Sequence, residues 1–342
     1  HGTSANKPAA QRRYRKLVAS LNASLNVPEV LMASNRWAEI RFASVASRCL
    51  SVHRKAFLNE SLKGKMTPAL EATGNRFPDD ADRVAARANL REAMVSKGVK
   101  GKQLGPHELA AKLMGGRRFS LSTAESDLMQ AQWVSMRQGV IDELAKAVAE
   151  RDAAVLAAAA PSVAAEGGPL ASVAALTAAL PKSVDLGKLV PLVDVSGSMG
   201  GQPMEVAIGL GILVSELAAA DFRDRVLTFE SSPSWVDLSD CANIAAKVAK
   251  VQSAGWGGST DFAAACERIL AVAQSAKLSP DDVPDLIVFS DMQFDCARGA
   301  GFYSYGYGYG GSRAGSDPWE TQYERLERRF ADVGRAVCGQ PY

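Results

Sequence analysis

Three short polar clusters hold the residue types that could do chemistry: Asp194-Val195-Ser196-Gly197-Ser198, Gly257-Gly258-Ser259-Thr260-Asp261 and Ser290-Asp291. Hydroxyls at Ser196, Ser198 and Thr260 with carboxylates at Asp194 and Asp291 offer oxygen and nothing softer. Gathered at one sheet edge, such a set suits a hard cation. Mg²⁺ is expected first, with its demand for near-octahedral ligation at about 2.0–2.1 Å, and Mn²⁺ or Ca²⁺ as substitutes. An ion touched by few charges stays Lewis acidic and takes a carboxylate from outside, so the expected partner is an acidic residue of another protein.

Ser198 also falls at a tight strand-to-helix turn, which raises covalent catalysis. A nucleophile elbow requires Gly-x-Ser-x-Gly, and the residue two before Ser198 is Ser196. The histidines, His1, His53 and His107, all precede this serine, so the order Ser, acid, His cannot be built within the chain. Asp194 lacks a second Asp two residues on to serve as acid for an aspartyl-phosphate. No Gly-x-x-x-x-Gly-Lys-Ser/Thr phosphate loop occurs. Non-enzymatic binding is expected, with a hydrolase or phosphatase kept as an alternative.

The elements that must position these clusters are legible in the hydropathy. Residues 189–193, 226–229 and 286–289 are short apolar runs bounded by polar turns, as strands buried on both faces should be. Between them Pro203 opens a helix whose stripe is Val206, Leu210, Leu213, Val214 and Leu217. A second helix starts at Asp261 with Phe262, Cys266, Ile269, Leu270 and Ala273, and another covers 319–334. This alternation predicts a doubly wound, mostly parallel sheet with ligands at the carboxyl ends of its strands, just after Val193 and Phe289.

The first half reads as all-helical. Tyr14, Leu17, Val18 and Leu21 form one apolar stripe, and Val45, Cys49, Val52 and Phe57 a second. Helices also fit 80–97, 106–114 and 121–151, the last carrying Leu128, Trp133, Met136, Ile141, Leu144 and Val148. Residues 153–185 then turn to Ala, Pro, Gly and Ser, punctuated at Pro161, Gly167, Gly168, Pro169 and Pro181. The expected organisation is a helical-repeat-like domain over 1–152, a linker over 153–185 and a sheet domain over 186–342.

Charge divides the same way. Residues 1–150 hold 24 Lys and Arg against 14 Asp and Glu, whereas residues 151–342 hold 15 against 23. The first half is the candidate for an anionic partner such as a structured RNA, with an ordinary solvated basic face as the alternative. Arg12, Arg13, Arg15, Lys16, Lys97, Lys100, Lys102, Arg117 and Arg118 are its candidate contacts, with Lys63 and Lys65 beside them. Five scattered cysteines without a CxxC pair read as reduced thiols, hence an intracellular compartment, cytoplasmic or organellar. No run of about 18 uninterrupted apolar residues predicts a membrane partner.

The order Asp-x-Ser-x-Ser, a threonine some 60 residues later and an Asp closing a later strand resemble the metal-ion-dependent adhesion site of von Willebrand factor type A domains. The resemblance implies that Ser196, Ser198 and Thr260 ligate the metal directly and that Asp194 and Asp291 hold it through water. The stretches LVDVSGSMGGQPMEVAIGLGILVSEL, WGGSTDF, VFSDMQFDCA and WETQYERL, with YRKL, LMASNRWAEIRFASVASRC and AFLNE upstream, look like an uncharacterised eukaryotic and viral family that joins a helical domain to this module. That family is distantly similar to the Ro ribonucleoprotein (TROVE) autoantigen, whose stacked helices bind small non-coding RNAs. A component of an RNA–protein particle is the function so implied, and a protein scaffold without RNA is the alternative.

Three features depart from that pattern. Pro191 lies inside the expected central strand, where its missing N–H predicts pairing that begins late. A Gly/Tyr-rich insertion at 299–315 brings Tyr305 and Tyr307 to the metal face, where they would touch a base or a peptide or stay in a loop. Trp256, beside Thr260, is either an anchor for the partner or packing over a helix start. The chain begins at His1 and stops at Tyr342, which reads as truncation at both ends. Residues 286–289 would then be an apolar sheet edge, so a longer gene product or a partner strand is expected to cover it.

Overall fold

A computed structural model describes residues 7–61, 68–96, 98–115, 121–165, 185–229, 232–254, 261–291 and 322–342. The fold is α + β, with a mostly helical first half and a mixed four-stranded sheet in the second. The chain forms two compact units: His1–Gly105 with Gly115–Gly139, and Pro106–Met114 with Val140–Tyr342.

In the first unit, helices α1 (Lys7–Ser24), α2 (Pro28–Ala33), α3 (Ser47–Phe57), α4 (Pro68–Thr73) and α5 (Ala81–Val95) precede the start of α7 (Thr123–Ala165). Its core gathers Leu31, Trp37, Phe42, Leu50, Phe57 and Leu90 with Leu128 from α7. Val45 is buried just ahead of α3, but Val52 is 72% exposed. The buried face of α3 runs instead through Ser47, Leu50, Ser51 and Phe57, at helical spacing. The stripe expected on α1 is likewise uncovered by described residues, with Tyr14, Leu17 and Leu21 all exposed.

α7 begins with a reciprocal capping box. Ser122 Oγ accepts the Glu125 N–H at 3.1 Å, and Glu125 Oε2 accepts the Ser122 N–H at 3.2 Å. Glu125 is buried and pairs with Arg54 at 2.9 Å and Lys55 at 3.8 Å, so its charge is compensated. The Ser122 hydroxyl also donates to Glu60 at 2.9 Å. Burial pushes the Glu60 carboxyl up, the Ser122 hydrogen bond draws it partly back and the Glu125 charge pushes it further up. The helix runs on through Pro161 to Ala165, past the point at 153 where the sequence predicted a linker. Alanine is the strongest helix former, and the proline cost of about 3 kcal/mol falls near the helix end. Residues 166–184 of the expected linker lie outside the described residues.

The second unit contains β1 (Leu189–Asp194), α8 (Gln202–Leu217), β2 (Arg225–Phe229), β3 (Trp235–Asp237), α9 (Ile244–Ser253), α10 (Phe262–Ala276), β4 (Asp285–Phe289) and α11 (Gln322–Cys338). The sheet order is β3-β2-β1-β4. β1 is parallel to β2 and β4, and β3 is antiparallel to β2. The short β3 was not expected from the sequence, since three residues carry no periodicity. Pro191 acts as predicted on one side: partnering with β2 starts at Leu192, whereas β4 pairs from Leu189. Val190, Leu192, Leu227 and Phe229 meet Ala265 and Ile269 of α10 in the core.

The segment α6 (Pro106–Met114) divides from the first half and packs in this unit against α8 and α9. α8 therefore lies between β1 and α6, which is why it is buried almost all round rather than along one stripe. Two glycines make that contact close. A Cβ at Gly209 would stand 2.7 Å from the Pro106 carbonyl carbon, and one at Gly211 would stand 2.3 Å from Val193 Cγ2.

Gly209→Ala is expected to lower stability by about 1–3 kcal/mol in urea denaturation, because the Pro106 backbone cannot yield. Its propensity gain of about 0.5–1 kcal/mol is the smaller term. A midpoint at or above the parent's would show that α6 is not seated on α8. A carboxyl raised above its ordinary 4.5 stabilises the fold below that pH and loses this contribution as pH rises through its folded value. Glu60→Gln should therefore unfold at higher denaturant than the parent near neutral pH, with the difference closing once the pH falls below about 4.5.

Candidate metal centre

β1 ends on Asp194, and the chain then turns through Ser196 into a 3₁₀ turn over Gly197–Met199. The Met199 N–H bonds to the Ser196 carbonyl at 3.2 Å, and the buried Met199 side chain anchors the turn. Gly201, at φ 92°, then reverses the backbone into α8, with Pro203 in its first turn.

Asp194 is fully buried. Its Oδ1 accepts the Ser196 N–H at 2.9 Å and its Oδ2 accepts the Ser290 hydroxyl at 2.6 Å. Both oxygens are thus engaged, one by the strand's own turn and one by the residue just beyond β4. Ser196 is buried and Ser198 exposed, and their Oγ atoms lie 3.1 Å apart. Asp291, half-buried, follows Ser290 at the same end of the sheet. With Ser290 it lines an open groove of about 470 Å³ bounded by Met199, Gln202, Val206 and Phe289.

The structure therefore brings Asp194, Ser196, Ser198 and Asp291 to one sheet edge. Thr260, Trp256, Tyr305 and Tyr307 lie outside the described residues. Asp261, next to Thr260, caps α10 by accepting the Ala264 N–H at 2.9 Å. Ser290 was not among the expected site residues, yet it holds the Asp194 carboxylate. A hydroxyl immediately after an apolar strand and before Asp291 was the available signal. β4 is the last strand on its side among the described residues, and its apolar positions are half-buried.

Adjacent ligands on an octahedral ion with bonds of about 2.0–2.1 Å stand about 2.9 Å apart, and Ca²⁺ at about 2.3–2.6 Å spreads them further. The two hydroxyls are hydrogen-bonded to each other at 3.1 Å, a separation that falls between those two ligand spacings. An oxygen-only donor set beside a buried carboxylate fits a hard divalent cation.

Of the predicted cationic contacts, Arg12, Arg13, Arg15 and Lys16 are exposed on α1. Lys100 and Lys102 are exposed but partly committed. Lys100 donates to the Ser44 carbonyl at 3.2 Å, and the Lys102 methylenes lie over Gly139. Lys97, Arg117 and Arg118 lie outside the described residues, as do Lys63 and Lys65.

Residues 189–338 match the family described as Domain of unknown function (DUF7788), and residues 3–66 match Domain of unknown function (DUF2828). An uncharacterized protein of Acanthamoeba polyphaga mimivirus is 30% identical over 303 residues, which is 86% of this chain and 43% of the viral protein. The chain thus spans less than half of that relative's length. No solved structure matches it. The DUF7788 match begins at residue 189, the first residue of β1, so it starts where the sheet does.

Proposed function

We propose that this chain is a non-enzymatic binding protein whose sheet edge forms a divalent-cation site of the von Willebrand factor type A kind. The observation that carries the reading is the Ser196–Ser198 hydroxyl pair beside a buried Asp194 whose oxygens are already engaged. Parallel pairing of β1 with both β2 and β4 supports a doubly wound arrangement with its site at the carboxyl ends. Ser196 and Ser198 are the direct ligands, and Asp194 and Asp291 hold the ion through water. Thr260 is the third ligand by sequence. A divalent ion there supplies a Lewis-acidic position for a carboxylate from outside. The Asp194–Ser290 contact keeps the turn in place, and the groove beside it, with Met199, Val206 and Phe289 on its wall, gives the incoming acid access.

The exposed run Arg12, Arg13, Arg15 and Lys16 favours a second contact, with the phosphates of a structured RNA. Together the two surfaces describe a component of an RNA–protein particle that grips an acidic protein partner through its metal.

Calorimetric titration of the full chain with Mg²⁺ should give one binding event. The Ser196→Ala, Ser198→Ala double variant should lose more than about 10-fold in affinity while keeping its circular dichroism. An unchanged isotherm in that variant would overturn the metal assignment. In mobility-shift titrations of the full chain with a structured RNA, replacing the four α1 cations with Gln should reduce the slope of log affinity against log salt by about 3. No shift at low salt would leave the protein-scaffold reading.

A further inference from the structure

The first unit holds a cluster of quite different chemistry. Cys49 and His53 are four residues apart on α3, and so share one face of the helix. Glu29, in the first turn of α2, reaches the same place from 20 residues upstream. One ligand atom from each of the three residues lies within 4.8 Å of the other two. The Cys49 thiol donates to Glu29 Oε1 at 3.4 Å.

That spacing is informative. An ion with a Zn–S bond of about 2.3 Å and a Zn–O bond of about 2.0–2.2 Å in tetrahedral geometry sets sulfur and oxygen about 3.5 Å apart. The thiol and carboxylate already stand at this separation, and a His53 ring nitrogen lies within 4.8 Å of both. The imidazole packs edge-on against the buried Phe57 ring, with centroids 5.9 Å apart, so its ring position is constrained by the core. Cys49 and His53 are half-buried, while Glu29 is exposed, which leaves one side of the triangle open to solvent.

We infer that Glu29, Cys49 and His53 form a transition-metal site, for Zn²⁺ foremost, with three protein ligands and an open fourth position for water or an outside donor. A sulfur, a nitrogen and an oxygen donor together select a borderline-soft ion and disfavour Mg²⁺ and Ca²⁺. The site is therefore chemically separate from the oxygen-only sheet edge. On uptake the Cys49 S–H bond breaks, its proton leaves to solvent and the sulfur–metal bond forms, with no change of oxidation state. Burial and the neighbouring Glu29 carboxylate push the free Cys49 thiol up to about 12.

Co²⁺ is the probe, added to the full chain after treatment with a chelator and its removal. The expected spectrum combines a near-ultraviolet thiolate-to-cobalt band with the intense visible absorption of four-coordinate cobalt, and one equivalent of Zn²⁺ abolishes both. Cys49→Ser should lose the thiolate band. Glu29→Gln, at an exposed position that leaves the core intact, should weaken cobalt binding beyond the roughly 10–100-fold that loss of an outer-shell partner costs. Zn²⁺ should raise the thermal midpoint of the parent and not of Glu29→Gln. A spectrum without the thiolate band would overturn the assignment. So would a band that survives in Cys49→Ser, since the other cysteines would then be its source. If Cys49→Ser does not fold, unaltered cobalt affinity and an unaltered zinc shift in Glu29→Gln would overturn it equally.

Discussion

Burying a carboxylate costs several kcal/mol unless its lone pairs are met, and the end of β1 is organised around meeting them. Asp194 has no exposed surface, and its two oxygens take the Ser196 N–H and the Ser290 hydroxyl. That satisfaction ties the turn after β1 to the turn after β4, at the point where the two parallel strands finish. The hydroxyls of Ser196 and Ser198 are presented from a turn thus held on both sides. Gly211 lets α8 approach Val193 closely, so the strand carrying Asp194 is pressed from its face as well as from its edges. The turn that presents the two hydroxyls is held by the same carboxylate.

The same economy recurs elsewhere with charges rather than hydroxyls. Glu125, buried at the start of α7, closes a capping box and pairs with Arg54 and Lys55 of α3. In the second unit the Lys247 ammonium sits between Glu216 at 2.8 Å and Asp224 at 2.5 Å. Burial lowers its pKa, and the two carboxylates outweigh that and raise it. Each network joins elements distant in sequence, so packing and electrostatics select the same arrangement. The α1 cations Arg13, Arg15 and Lys16 are exposed, and Arg12 donates to the Pro8 carbonyl at 3.5 Å.

Much of the second half was legible because β1 and β2, buried along their length, and the half-buried β4 leave continuous apolar runs. The expected strands at 189–193, 226–229 and 286–289 each fall within one residue of an observed end, and Pro191 delays the ladder on the β2 side as its missing N–H requires. Helix positions in the first half were equally readable, with α6 found at its predicted bounds of 106–114. Their faces were less so. Val52 and the α1 stripe satisfy the period of a buried face yet are exposed, because periodicity reports which residues share a face and not whether anything covers it. α7 continues through Pro161 because the run of alanines before it outweighs one unfavourable residue near the helix end.

Sequence alone determined that Asp194 and Ser290-Asp291 close apolar strands and so emerge at strand ends of the sheet. It also determined the division of charge between the halves, which is a matter of counting. Tertiary structure decided that the Ser290 hydroxyl engages the Asp194 carboxylate, that α6 packs with the sheet unit, and that Glu29 meets Cys49 and His53. Each of these depends on distances between residues 20 or more apart in the chain, set by how elements pack. No local pattern encodes such distances, because they arise only when whole faces are brought together.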